Sequence, residues 1–153
     1  MRQSVAVVLG ICLLLPCFLW ARPAGLREDG KPYGVLIIND KKALAREIGN
    51  ALRQEGFLVA GYADDGPSGV NRYRELKPRP DLVLIAVRMT PMDGATTLAK
   101  LRGIDRTVKA LVTCVATDEG LAKKAVLLGA ADYLVLPMER SDLLEKIMAV
   151  LRR

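Results

Sequence analysis

The side chains best placed for chemistry in this chain follow its apolar runs. Asn39 and Asp40 come directly after the run VLII, and Ala86 comes directly after LVLI. In an open parallel sheet, ligands bind in the crevice beyond the carboxyl ends of the strands, so these side chains are predicted to share one site. Asp40 supplies one carboxylate there, whereas the methyl group of Ala86 can act neither as a nucleophile nor as a metal ligand. The pattern therefore predicts a pocket with little reactive chemistry.

The composition excludes several classes of functional site. The 153 residues include no histidine, which excludes histidine acid/base catalysis, serine–histidine pairs and histidine-ligated metals. Cys12, Cys17 and Cys114 lack metal-ligand spacing, and Cys114 is expected to be a small buried side chain. The net charge of +6 is spread without a basic block, and only 5% of residues are aromatic, which gives no footprint for nucleic acid. We expect no enzyme activity, no cofactor and no nucleic-acid partner.

The part of the chain from Tyr33 to Arg153 alternates five times between strand and helix patterns. Asp40 and Asp93 are predicted helix N-caps, and Ser141 or Asp142 is predicted to cap the last helix. Repeated strand–helix units with apolar strands indicate a parallel sheet that is covered on both faces. The predicted strands are 33–38, 57–63, 81–87, 109–116 and 132–136, and the helices that follow them begin near residues 40, 67, 94, 118 and 140.

The N-terminal segment has a different character. Residues 5–20 carry no charge and follow Arg2, which favours a signal peptide or a membrane anchor over residues 1–21, formed as an apolar helix. A start codon placed too far upstream is the alternative. The basic residues after the run favour a membrane-anchored chain with a cytoplasmic domain, with export or a cytoplasmic location as the alternatives. Residues 22–32 are predicted to be a linker, and 33–153 the folded domain.

Three stretches of the predicted domain carry a family resemblance: VLIIND at its start, PDLVLIAVRMTPMDG from Pro80 to Gly94, and GAADYLVLP from Gly129 to Pro137. They resemble the receiver domain of bacterial two-component response regulators, over nearly all of 33–153. The resemblance implies a flavodoxin-like (βα)5 fold, which is a doubly wound parallel sheet with strand order 2-1-3-4-5. It also implies that Pro137 follows a cis peptide bond.

The same resemblance implies a degenerate phosphorylation pocket. A receiver accepts a phosphoryl group on an aspartate at the end of its third strand, and it holds Mg²⁺ through an acidic pair after its first strand. Asp40 is the only carboxylate expected in this pocket, so we expect no metal site. Thr113 would take the place of Cys114 if the register shifts by one residue. The residues at the five pocket positions are Asn39, Asp40, Ala86, Cys114 and Leu136.

By this resemblance, Ala86 stands in place of the phosphoacceptor aspartate and Leu136 in place of a lysine. The chain is therefore predicted to be a pseudo-receiver, which is a non-catalytic signalling module that works by protein–protein interaction. By resemblance, its partner binds the face of the fourth helix, fifth strand and fifth helix, at Lys123, Lys124, Leu127, Tyr133 and Glu139. Two other functions stay open. One is a response regulator phosphorylated at a substitute site such as Asp81 or Asp93, and the other is a small flavodoxin-like protein that binds a nucleotide or other anion. Residues 5–20 could add a membrane contact.

Overall fold

The computed structural model describes residues 22–153, which form a five-stranded parallel sheet with helices on both faces. The strand order is β2-β1-β3-β4-β5, which confirms the predicted order. The strands are β1 (Gly34–Ile38), β2 (Leu58–Ala63), β3 (Leu82–Ala86), β4 (Ala110–Val115) and β5 (Asp132–Leu136). The helices are α1 (Lys42–Gln54), α2 (Gly66–Glu75), α3 (Gly94–Ile104), α4 (Glu119–Leu127) and α5 (Arg140–Leu151).

The sheet separates two apolar cores. In β1, Leu36 and Ile38 join the core under α2, α3 and α4, whereas Val35 and Ile37 join the core under α1 and α5. Every residue of β1 and β3 is buried. Burial on both faces is the physical reason why these strands are continuous apolar runs without polar alternation.

The helices begin within two residues of the predicted positions, but of the predicted N-caps only Asp93 is confirmed. Asp93 caps α3 as predicted, because its carboxylate accepts a hydrogen bond of 2.8 Å from the Thr96 N–H. The prediction for Asp40 is wrong. Asp40 is exposed, and the buried Asn39 closes the turn instead by accepting from the Lys41 N–H at 2.8 Å, so α1 begins at Lys42.

One cap was not predicted, and one predicted cap is absent. Asp65 caps α2 by accepting from the Ser68 N–H at 2.7 Å. Ser141 and Asp142 do not cap α5, because the helix already begins at Arg140 and both residues lie within its first turn. A short polar side chain one or two positions inside a helix points away from the free N–H groups that an N-cap must satisfy.

The segment predicted to be a linker packs against the amino edge of the sheet. The Gly25 N–H donates to the Glu55 carbonyl at 2.7 Å, and the Tyr33 N–H donates to the Gly25 carbonyl at 2.8 Å. The Arg27 guanidinium forms an ion pair with Asp81, whose other oxygen accepts from the Gly34 N–H at 2.7 Å. The folded unit therefore includes residues before Tyr33.

The predicted signal peptide or membrane anchor, and its apolar helix, fall on residues 1–21 and lie outside the described residues. Among residues 22–153, no helix combines the length and the apolar character that a membrane crossing requires.

Candidate functional site

The carboxyl edge of the sheet opens into a cavity of about 130 Å³. The cavity lies between the loops that follow β1, β3 and β4. The five predicted pocket residues, Asn39, Asp40, Ala86, Cys114 and Leu136, all line it, and so does Thr113. The structure therefore brings together side chains that are up to 97 positions apart in the sequence, counted from Asn39 to Leu136.

Ala86 is the last residue of β3 and is 8% exposed. Its strand neighbour in β4 is Thr113, so the Ala86 methyl group and the Thr113 side chain lie at the same level of the sheet edge. Gly94 lets α3 start close to this point, because a Cβ at residue 94 would come within 2.5 Å of the Ala86 carbonyl oxygen. The local geometry thus places a methyl group where the strand reaches the cavity.

Two polar side chains of the cavity are almost completely buried. Asn39 is 3% exposed and Thr113 is 4% exposed. Asn39 accepts from the Lys41 N–H through its Oδ1, which leaves the Nδ2 group as a free donor within residues 22–153. The Thr113 hydroxyl likewise makes no hydrogen bond to any described residue, although it lines the cavity.

Cys114 contributes a thiol rather than a thiolate to the cavity. Burial raises its pKa, and the negative charges of Glu119 and Asp118 raise it further. A thiol with a raised pKa is a poor nucleophile. Cys114 therefore gives the cavity a small, weakly polar wall.

An ion pair that the sequence did not reveal crosses the rim of the cavity. The Arg88 guanidinium, just after β3, donates to the Asp118 carboxylate, just before α4, through Nη2 at 2.6 Å and Nε at 3.2 Å. This contact lowers the pKa of Asp118 and raises that of Arg88. The two residues are 30 positions apart and belong to no motif, so only the fold reveals their pairing.

The donors around the cavity do not fit Mg²⁺. Mg²⁺ needs hard oxygen ligands in an octahedron. Asp40 was predicted to be the only carboxylate here, and Asp118 is in fact a second one, but Asp118 is paired with Arg88. Asn39 Oδ1 is engaged by the Lys41 N–H, and Ala86 offers no ligand atom. In the part of the chain that the structure describes, no group of three metal-ligating side chains occurs.

The predicted interaction residues lie on and around α4. The Tyr133 hydroxyl donates to the Glu119 carboxylate at 2.7 Å, which raises the pKa of Tyr133, and Lys123 pairs with the same carboxylate at 3.1 Å. Lys124 and Leu127 are exposed on α4, with Leu127 at 86% exposure. Glu139 is exposed at the N-cap position of α5. The predicted cis peptide bond is present two residues earlier, between Leu136 and Pro137.

A family model and individual relatives match this chain to the same protein family. Residues 35–148 match the model of the response regulator receiver domain. The chain is 41% identical over 130 residues to the chemotaxis protein CheY of Treponema pallidum, which covers 85% of this chain and 90% of that protein. It is 30% identical over 115 residues to CheY of Bacillus subtilis, which covers 75% and 94% of the two chains.

A solved structure agrees with these relatives. The chain is similar to a protein in the crystal structure of the CheX-CheY-BeF3-Mg²⁺ complex from Borrelia burgdorferi, with 29% identity and a TM-score of 0.80, over 85% of this chain and 98% of that one. The sequence match, the strand order and the structural likeness lead to one conclusion: the chain belongs to the response regulator receiver domain family of two-component signalling and is CheY-like.

Proposed function

We propose that this protein is a pseudo-receiver, a signalling module whose state is not set by aspartyl phosphorylation and which acts by binding a protein partner. The observation that carries the proposal is Ala86, which occupies the carboxyl end of β3 and lines the cavity. Phosphoryl transfer to a receiver needs a carboxylate nucleophile, and a methyl group cannot supply one. The family is one of signalling modules, and we expect no enzyme activity here.

The replacement at Leu136 supports this proposal. Leu136 packs with Leu44 against the core under α1 and α5 while it also lines the cavity. A lysine ammonium at this position would face no carboxylate at residue 86, and it would lose solvation beside Asp118, which already pairs with Arg88, and Asp40, which lies exposed in water. An alanine at 86 and a leucine at 136 are therefore physically consistent with each other.

The substitute acceptors considered from the sequence have other contacts. Asp81 lies at the amino edge of the sheet, where it binds Arg27 and the Gly34 N–H. Asp93 caps α3 and binds the Thr96 N–H. Neither lines the cavity, and a carboxylate that is engaged by N–H groups is a weaker nucleophile than a free one.

The partner surface that we propose is formed by α4, β5 and the start of α5. Leu127 exposes an apolar side chain there beside Lys123 and Lys124, and Tyr133 is held by Glu119. A CheY relative from Borrelia burgdorferi has been solved in complex with CheX, so a protein partner is in keeping with the family. Glu139 borders this surface at the start of α5.

Intact-mass spectrometry after incubation with acetyl phosphate and Mg²⁺ tests the proposal, with CheY of Bacillus subtilis as the positive control. We expect no phosphoryl adduct on this chain under conditions that modify the control. The Ala86→Asp variant tests whether the other pocket residues still support phosphoryl transfer when residue 86 carries a carboxylate. A stoichiometric adduct on the unmodified chain would overturn the proposal, and peptide mapping would then identify the substitute acceptor.

A further inference from the structure

We propose that the cavity at the carboxyl edge is a non-covalent binding site for a small aliphatic carboxylate. This inference goes beyond the proposed function, which concerns only the loss of phosphorylation and the use of a protein partner. It depends on three features of the cavity: hydrogen-bond donors without protein partners among the described residues, cationic side chains at the rim, and an apolar wall.

Two side chains of the cavity carry hydrogen-bond donors that have no partner among the described residues. Asn39 Nδ2 and Thr113 Oγ1 line the cavity, belong to side chains that are at least 96% buried, and donate to no described residue. The side-chain atoms of the described residues that are fully enclosed without a partner are Arg27 Nε and Tyr62 Oη, so the two cavity donors instead reach open space, where water or a ligand can bind them. Both groups can donate, so a ligand that enters the cavity gains most by presenting acceptor oxygens.

The rim holds two cations, Lys41 and Arg88, and two carboxylates, of which Asp118 is paired with Arg88. Lys41 lines the cavity and takes part in no ion pair within residues 22–153, while Arg88 faces it with a guanidinium that has five N–H donors. Asp118 uses the Nε and Nη2 groups of Arg88, which leaves Nη1 available. Asp40 is the remaining carboxylate, and it lies exposed, where water weakens its repulsion of an anion.

The apolar side chains that line the cavity favour a ligand with an aliphatic group. Leu44, Val115 and Leu136 line the cavity together with Ala86. A volume of about 130 Å³ admits a ligand of only a few non-hydrogen atoms. An inorganic oxyanion would leave this wall bare, whereas a short branched aliphatic chain would cover it and add apolar burial to the polar contacts.

Isobutyrate is the probe for this site, titrated into the full chain while amide chemical shifts are followed by NMR. The matched ligands are isobutyramide, which keeps the shape without the charge, isopropylammonium, which reverses the charge, and inorganic phosphate. We expect saturable shifts at Ala86, Thr113 and Leu136 with isobutyrate. Isobutyramide should bind about tenfold more weakly, since a hydrogen bond to a charged group is stronger than one to a neutral group.

Two variants test the assigned donors. Thr113→Val removes the hydroxyl while keeping the shape, and Lys41→Gln removes the charge. Each should weaken isobutyrate binding about tenfold, the loss that one charged hydrogen bond predicts. Lys100→Gln, on the exposed face of α3, is the matched control and should leave binding unchanged. Thermal unfolding of each variant checks that it is folded, and Lys41 is exposed enough that its substitution keeps the core intact.

The proposal is overturned by any of three results: no saturable shift with isobutyrate, an equal response to isopropylammonium, or unchanged affinity in both variants. Tighter binding of phosphate than of isobutyrate would also contradict it, because the apolar wall would then have no role. These outcomes are separate from the phosphorylation assay, since a chain that takes up phosphate covalently would be detected there by its mass.

Discussion

The proposed loss of the phosphoacceptor rests on one methyl group, that of Ala86 at the carboxyl end of β3, and we propose that its effect extends to residue 136. Ala86 and Leu136 line the same cavity. In a cavity without a carboxylate on residue 86, an apolar neighbour is the stable choice, because it needs neither a counter-charge nor water. We therefore treat the two residues as a coupled pair.

This coupling can be measured with a double-mutant cycle. We expect Leu136→Lys to lower the free energy of unfolding by about 1 to 3 kcal/mol, because the ammonium loses water while Asp118 stays paired with Arg88. In the Ala86→Asp background the same substitution should cost less, because the new aspartate can pair with the lysine. Urea unfolding of the four proteins gives the coupling energy. Additive effects of the two substitutions would show that the residues are independent.

A second network at the residue scale predicts a pH dependence. The Asp105 carboxylate accepts from the Thr107 N–H at 2.9 Å, the Thr107 hydroxyl at 2.6 Å and the Tyr73 hydroxyl at 2.9 Å. These contacts hold the pKa of Asp105 well below its usual range, and burial together with the Asp105 contact raises the pKa of Tyr73 to about 12. Arg79 adds an ion pair at 3.2 Å.

Because the pKa of Asp105 is depressed in the folded state, its contribution to stability is present above the unfolded pKa of about 3.9 and is lost as the pH falls towards the folded pKa. Asp105→Asn should therefore lower the free energy of unfolding by about 1 kcal/mol at neutral pH and by less in acid. Denaturant unfolding at several pH values tests this. Asp64→Asn, which breaks the exposed pair with Lys42, is the control and should show a much smaller effect. An equal loss at all pH values would contradict the assignment.

At the scale of elements, the sequence predicted the five strands because continuous apolar runs and helix-breaking residues are local signals, whereas the strand order came from the family resemblance. The sequence also predicted Asp93 as a cap, since its position before a glycine-led helix is local too. It failed at Asp40, because the choice between two adjacent polar residues depends on which one is buried, and Asn39 is. The cavity residues came from family resemblance, whereas Arg88 and Asp118 meet only through the fold.

The start of α4 is held from two sides by adjacent residues. Asp118 binds Arg88, across the cavity rim, and Glu119 binds the Tyr133 hydroxyl on β5. The cavity and the proposed partner surface are therefore joined through two neighbouring side chains. A change at the cavity that frees Asp118 has a direct route to α4.

Asp118→Ala should increase local opening of α4 without a large change in global stability, because Arg88 is 68% exposed and its ion pair is screened by solvent. Hydrogen exchange should become a few-fold faster in the first turn of α4, whereas α1 keeps its protection. High salt should produce part of the same effect in the unmodified chain. Lys42→Ala, which breaks a comparable exposed pair with Asp64, is the control. Unchanged exchange in α4 would show that Tyr133 and Glu119 hold it alone.

At the scale of the whole molecule, the two edges of the sheet have different roles. The segment of residues 22–32 packs at the amino edge, where Gly25 binds Glu55 and Arg27 binds Asp81. The cavity opens at the carboxyl edge, since Ala86 and Leu136 are the last residues of β3 and β5. The first residues that the structure describes therefore lie at the edge opposite to the cavity.

From the uncharged run of residues 5–20 we propose that the full chain associates with lipid bilayers. We expect the full chain to co-sediment with phosphatidylcholine vesicles. Leu14→Arg should abolish this association, because an arginine in the middle of the run costs about 2.5 to 3.5 kcal/mol on insertion scales. Lys31→Gln, outside the run, is the control and should bind vesicles normally. Equal sedimentation of the Leu14→Arg variant and the unmodified chain would contradict the membrane contact.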